Sequence, residues 1–354
     1  MYKNERDVLV LSGNGTIKVQ KDTIPEVTKG YVKIKVLCSL VSPGTELKGW
    51  DALAKQRTCP NLLPKPKKFG YSLSGVVEEV GEDVDRFSIG QRIAAIGAGF
   101  AIHSNYAVVP QNLCIELENE VSNEEGAYSM LLATALQAVR RADPSIGEYY
   151  AVSGLGIVGL LSAKLLQLSG CKVCGIDQHT ERLEIAKKLG IKNTFLASDE
   201  NINEKIQAFT NQEGLDGAVV AFGGQAQSAM DLLVNNTKLS PDLHHEGVIV
   251  TVGWPEFDYF GEIGKMNNID LRRSSRTGCG YHDAEWEISK KDYPSVFVRW
   301  TTQRNLRLCL ELVKNKEIDV NLLTTHKIKL VDAEKEIAAL LDNSNKMLGV
   351  IFYN

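Results

Sequence analysis

Residues 149–177 read YYAVSGLGIVGLLSAKLLQLSGCKVCGID, and their order decides the fold of the middle of the chain. A short apolar strand runs into Gly154-x-Gly156-x-x-Gly159, which opens a helix-length apolar segment; a second strand follows and ends on Asp177. Gly154 permits the tight turn out of the strand. Gly156 lets the backbone approach a pyrophosphate without a Cβ in the way, and Gly159 lets the helix pack closely on the strand. The first N–H groups of that helix, at Ile157 and Val158, meet the phosphates at the positive end of its dipole. Asp177, 18 residues beyond Gly159, stands where a carboxylate accepts hydrogen bonds from the adenosine ribose. Gly223 and Gly253, at the ends of later strands, complete the expected cofactor-binding set. A membrane-spanning helix is the competing reading of residues 151–170. The glycines and serines near its start and Lys164 within it argue against a span, which needs about 20 predominantly apolar residues.

The Asp177 carboxylate also repels a 2′-phosphate, and Gln178, His179 and Thr180 follow it rather than an Arg. NAD(H) is therefore favoured as cofactor. NADP(H) remains possible because of Arg182, which is expected on the next helix.

Around this motif the chain of 354 residues has room for two domains. Its composition, 44% hydrophobic and 24% charged, is that of an ordinary soluble protein. A net charge of −4 gives no basic field, so nucleic acid is not an expected partner. The start, MYKNERDVLVLSGNG, lacks the apolar core of a signal peptide. The seven cysteines are unpatterned. Both features suit the cytoplasm, with a small-molecule substrate and no membrane partner. Cys171 and Cys174 are the only close pair; they straddle a strand start, where they would not meet as ligands.

The first 125 residues are β-rich. Short runs such as DVLVL (7–11), YVKIKVLCSLV (31–41), SGVVEEVG (74–81), QRIAAIG (91–97) and YAVVP (106–110) alternate with turn residues. Together they read as a partly open barrel. A helix over 126–142 links it to the next domain. From Tyr149 strands at 149–153, 172–177, 193–197, 217–223, 247–253 and about 269–274 alternate with helices near 157–169, 180–189, 202–211 and 225–235. That alternation predicts a doubly wound parallel sheet. Residues 254–298, rich in aromatics and acids, read as an elaborated loop region. A helix near 302–314, the stretch LLTTHKIKL, a helix near 331–342 and the strand GVIFY close the chain.

Three stretches carry a family resemblance. GYSLSGVVEEVGEDVDRFSIGQRIAAIG (70–97), the Gly154–Asp177 fingerprint and LLTTHKIKL resemble, in order, the signatures of the medium-chain dehydrogenase/reductases, the alcohol dehydrogenase superfamily. The resemblance implies an α/β protein: a GroES-like, partly open β-barrel catalytic domain (1–125 and 299–354) and a Rossmann doubly wound parallel sheet (126–298). It also implies substrate and nicotinamide held between the domains, and a homodimer or homotetramer. SPGTEL and VRWTTQRN (298–305) resemble a subgroup related to sugar, polyol or cyclitol dehydrogenases.

The departures concern zinc. Where zinc members carry Cys in C-x-S/T-D, this chain has Ser42 or Pro43, with Thr45 and Glu46 at the hydroxyl and acidic positions. Where they carry G-H-E it has Gly70-Tyr71-Ser72, and in the linking helix it has Met130-Leu131. The four-cysteine structural lobe is missing. Zn²⁺ wants thiolate, imidazole or carboxylate, so no zinc is expected. Hydrogen-bond donors must then stabilise charge developing on a carbonyl oxygen. Tyr71, in place of the ligand His, is the first candidate and Thr45 the second, with a proton relay as its further role; Tyr106 and Lys48 follow. Against these stand packing roles: Tyr71 as a filler of the vacated volume, Thr45 as a turn hydroxyl, His326 as structural, and His244-His245 as a solvated pair. Arg299 and Trp300 suit either a substrate wall or simple packing.

Three functions stay open on this reading. The chain is an NAD(H)-dependent, zinc-independent oxidoreductase of an alcohol/carbonyl pair, on a polyol, sugar or cyclitol; or an NADPH-dependent enone or quinone reductase; or a dinucleotide-binding protein without catalysis.

Overall fold

The computed structural model describes residues 4–60 and 66–354. They fall into two compact units, Met1–Ala133 with Thr277–Asn354, and Thr134–Arg276. The second unit is built round the strand Tyr149–Ser153, all five residues of which are buried. Parallel strands covered on both faces read as continuous apolar runs, and this one does. Outward from it on one side lie Lys172–Asp177 and Asn193–Leu196; on the other lie Gly217–Val220, His245–Val252 and Asn268–Ser274, all parallel. This is the 3-2-1-4-5-6 order of a doubly wound sheet, whose order reverses beside the first strand. Ile176 and Val220 both pair with Ser153, so three strands end level where the glycine turn begins. The helix Ile157–Leu168 starts from Gly156 and stops at Ser169, with Gly170 at φ +89° beyond it.

The first unit holds a sheet in the order Thr324–Lys329, Gly349–Tyr353, Tyr31–Leu40, Ser72–Val80, Arg92–Ile96, Cys114–Glu116. Tyr106–Pro110 pairs on Tyr31–Leu40. A second, three-stranded sheet joins Ile17–Thr23, Glu5–Leu11 and Lys67–Lys68. Leu9, Ile17, Trp50, Leu53, Ile328 and Phe352 lie in one buried cluster beneath them.

Several elements differ from expectation. Five of the seven residues of the strand Ile17–Thr23 are polar and most are exposed, so it lacks an apolar signature. The helix Trp50–Thr58 buries only Trp50 and Leu53. The strand expected over 217–223 ends at Val220, because the chain leaves the sheet before Gly224 at φ +88°. The helix expected over 331–342 is regular only over Ala333–Leu340. Residues 254–298 contain two helices, Tyr259–Met266 and Ala284–Ile288. Their later part packs with the barrel rather than the parallel sheet: Asn112 Nδ2 donates to the carbonyls of Trp286 (2.7 Å) and Lys291 (3.2 Å), and Gln111 Nε2 to that of Ile288 (2.8 Å). The two compact units divide at 133 and 276. Among the described residues no helix is long and apolar enough to cross a membrane.

Candidate active site

In the second unit the three glycines of the turn do three separate jobs. Gly154 sits at φ +89°, where a side chain is strained. A Cβ on Gly159 would lie 1.8 Å from the Gly154 carbonyl oxygen, so that position holds helix against turn. Gly156 has an ordinary φ of −68° and nothing within 4 Å of a built Cβ. No internal contact requires glycine there; the open space is the shape of a cradle for a ligand. No side chain caps the helix at this end, which leaves its first N–H groups, those of Ile157 and Val158 included, for phosphate. A dinucleotide therefore fits these residues.

Asp177 ends its strand with its side chain buried. Oδ2 accepts from the N–H of Leu155 (2.6 Å) and Oδ1 from that of His179 (2.9 Å). Arg182, on the helix Thr180–Lys188, reaches back to within 3.4 Å of Oδ2. The carboxylate thus fixes the glycine turn, and its charge is partly offset by a guanidinium. Gly223 packs loosely under the Trp254 carbonyl (3.6 Å from a built Cβ), and Gly253, at φ +91°, under that of Phe222 (3.3 Å). These two glycines follow the ends of neighbouring strands.

In the first unit Tyr71 is 8% exposed, and its hydroxyl lies beside the Ser42 and Thr45 side chains, which act on its pKa in the opposite direction to burial. The Tyr71 and Thr45 candidates are thus neighbours, with Ser42 beside them, although Thr45 itself is exposed. Burial, reinforced by the Glu46 carboxylate, pushes the phenol well above its ordinary range. It stays protonated at neutral pH, as an unperturbed phenol also does. Gly70, at φ +116°, fixes this place: a Cβ there would lie 2.3 Å from the His103 nitrogen, and His103 N–H donates to the Phe69 carbonyl at 3.0 Å.

That contact exposes what the sequence did not reveal. His103 is fully buried, with Nδ1 2.8 Å from Ser39 Oγ and Nε2 3.5 Å from Glu46 Oε1. Glu46 Oε2 accepts from the Ser42 N–H at 2.6 Å. Positions 46 and 103 are far apart in the chain, and neither stands in a recognisable motif with the other.

The remaining candidates have other partners. Tyr106 is in a barrel strand under Lys33 Nζ, 5.5 Å from its ring centroid. Lys48 caps the turn Pro43–Leu47 in a left-handed conformation and is exposed. His326 bonds Thr325 Oγ1 at 2.9 Å, and burial lowers its pKa. His244 pairs with Asp242 at 2.7 Å in an exposed loop, while His245 bonds Thr237 Oγ1 at 3.0 Å. Arg299 and Arg304 lie over the Trp300 ring at 4.8 and 4.7 Å. Cys171 and Cys174 are buried, their thiols pushed up to about 11 and about 12 by desolvation.

The zinc that the family resemblance implies meets an unsuitable donor set. Ser72 Oγ donates to the Ala127 carbonyl (2.6 Å) and accepts from the Met130 N–H (3.3 Å), so it is committed to the backbone. Tyr71 is a protonated phenol, and Met130 offers only a thioether. None is the thiolate, imidazole or carboxylate that Zn²⁺ prefers. Among the described residues no three His, Cys, Asp or Glu side chains are grouped to hold a metal ion.

Comparison with known proteins agrees with both halves. A family model described as alcohol dehydrogenase GroES-like domain matches residues 29–119, and one described as zinc-binding dehydrogenase matches residues 158–289. L-idonate 5-dehydrogenase of Vitis vinifera is 24% identical, over 93% of this chain and 89% of its own. L-threonine 3-dehydrogenase of Rhizobium johnstonii is 27% identical, over 70% and 76%. The structure of galactitol-1-phosphate dehydrogenase from Escherichia coli shares the fold, with a TM-score of 0.76 at 17% identity over 98% of this chain and 100% of that one. With a GroES-like segment, a dinucleotide fingerprint and these relatives, the chain belongs to the medium-chain dehydrogenase/reductase superfamily and is an oxidoreductase.

Proposed function

We propose that this oxidoreductase interconverts an alcohol and a carbonyl, using NAD(H) and no zinc, on a polyol, sugar or cyclitol. The observation that carries the reading is the buried Tyr71 side chain, its hydroxyl beside Ser42 and Thr45, at the position where zinc relatives place a ligand His. A donor already oriented in a dry site stabilises charge developing on oxygen at little reorganisation cost. The nicotinamide, when bound, supplies or takes the hydride. Asp177 favours the unphosphorylated ribose, and the Gly154–Gly159 turn with the N–H groups of Ile157 and Val158 holds the pyrophosphate. The polyol class rests on relatives named for idonate and sorbitol.

A spectrophotometric screen tests this. NAD⁺ with polyols, sugar acids and cyclitols should give turnover at 340 nm. Turnover only with NADPH and enones or quinones would replace the reading with a carbon–carbon double-bond reductase. Cofactor binding with no turnover across the panel would replace it with a binding protein.

A further inference from the structure

The Tyr71 hydroxyl raises a problem of proton balance. Oxidising an alcohol removes a hydride from carbon, which passes with its two electrons to the nicotinamide, and a proton from oxygen. A phenol held protonated by burial can pass that proton on but cannot keep it.

Next to the hydroxyl cluster is a pair of groups that can. Glu46 is carried by the turn Pro43–Leu47, which also presents Thr45, and its side chain is only 3% exposed. One of its oxygens is satisfied by the Ser42 N–H; the other, Oε1, has no hydrogen bond. It faces His103 Nε2, which also has none, at 3.5 Å. An unpaired buried carboxylate oxygen and an unpaired buried ring nitrogen are each costly. Facing each other, they are a gap that one added proton closes into a charge-assisted hydrogen bond. The edges of Phe69 (centroids 4.8 Å apart) and Phe352 (5.2 Å) wall the imidazole from water, and Ser39 Oγ fixes its far nitrogen. Glu46 also acts electrostatically on Tyr71.

We propose that Glu46 and His103 together take up one proton, and that this pair receives the alcohol proton through the Tyr71, Ser42 and Thr45 hydroxyls. This rests on the reading of Tyr71 as the donor to substrate oxygen. The balance closes. The substrate O–H breaks as a hydroxyl of the cluster forms a new O–H, and that cluster passes a proton of its own to the pair. The substrate C–O bond becomes C=O, and the pair gains one positive charge. In the reducing direction the pair returns the proton. Glu46 and His103 act through the hydroxyls and do not touch the substrate. The groups packed round them are Ser39 from the strand Tyr31–Leu40, Ser42 from the turn, Phe69, Phe352 from the C-terminal strand, and Tyr71 with Tyr281 near it. Of these only the two tyrosines titrate.

The test begins with ¹⁵N-imidazole NMR on the full-length protein, with His103 identified among the six histidines by its loss in His103→Gln. The His103 ring nitrogens should show a protonation transition, and Glu46→Gln should displace it, since the imidazolium loses its counter-charge. No transition in native protein, or the same transition in Glu46→Gln, overturns the proposal. So does one equivalent of zinc per chain that elemental analysis finds in the native protein and not in Glu46→Gln. With a substrate from the screen, Glu46→Gln should lower kcat for alcohol oxidation at least tenfold, leave KM within twofold and shift the acid limb of the kcat–pH profile. An unchanged limb beside a crippled Tyr71→Phe makes the pair structural and overturns the proposal alone. A fully active Tyr71→Phe overturns the reading of Tyr71 instead, while the NMR arm still reports on the pair. If Glu46→Gln does not fold, Glu46→Asp keeps the charge at shorter reach; it should weaken kcat and still show the transition, and full activity in it counts against the proposal.

Discussion

A phenol that cannot ionise is useful only for what it donates, and this sets the expectation for Tyr71. Tyr71→Phe keeps the ring that fills the buried space and removes only the O–H. Turnover should fall by about 10²–10³-fold, with thermal stability little changed; kcat measured on a substrate from the screen checks it, and full activity would make Tyr71 a filler. Asp177 makes a second residue-scale prediction. NAD(H) should bind more tightly than NADP(H), and Asp177→Ala should cost NAD(H) about 1.5–3 kcal/mol, the value of hydrogen bonds to a charged group, narrowing the difference. Because Asp177 also holds the Leu155 N–H, part of that loss should appear for NADP(H) too. Nicotinamide fluorescence titration separates the shared part from the selective part, and tighter NADPH binding by the native protein would refute the choice. The donor set of Ser42, Tyr71, Ser72 and Met130 further predicts no stoichiometric zinc after dialysis, and activity indifferent to chelator. Elemental analysis giving about one zinc per chain would contradict it.

Among the elements, the glycine turn offers a pair of substitutions with opposite signatures. Gly159→Ala pushes a methyl to within 1.8 Å of the Gly154 carbonyl oxygen and must pry the helix from its strand. It should lower the melting temperature by several degrees and reduce cofactor binding with it. Gly156→Ala meets open space at an ordinary φ; its melting temperature should stay near native while cofactor affinity falls at least tenfold. Equal melting losses in both would mean that Gly156 is structural and not part of a cradle. The turn was legible in the sequence because strand, turn, helix and acid lie within 29 residues and each part leaves a local mark. The strand Ile17–Thr23 was not, because an exposed strand has no apolar alternation to show. Nor was the Glu46–His103 pair. Glu46 sat in a stretch read for its hydroxyl, and His103 lies between barrel strands; only the close fit of Gly70 on residues 102 and 103 brings them together. Local chemistry reads well in one dimension, and long-range pairing of single polar residues does not.

On the scale of the whole molecule, the parallel-sheet unit is made from one continuous stretch, whereas the barrel unit is made from both ends of the chain. The strand Gly349–Tyr353 pairs with residues 38–40, Phe352 sits in the same buried cluster as Leu9, Trp50 and Leu53, and Trp50 Nε1 donates to the Leu348 carbonyl at 3.4 Å. Removing residues 349–354 should therefore leave Leu40 and its neighbours on a bare sheet edge and yield insoluble protein. A soluble, active truncate recovered from expression would show that the last strand is dispensable. During synthesis on the ribosome this arrangement reverses the usual order of folding. The first barrel strands emerge early, yet their sheet must wait for residues 349–353 to leave the exit tunnel, while the parallel-sheet unit between them is already complete. Until then the nascent chain carries unpaired barrel strands, and that interval, rather than the finished fold, is where chaperones and low temperature would have their effect on yield.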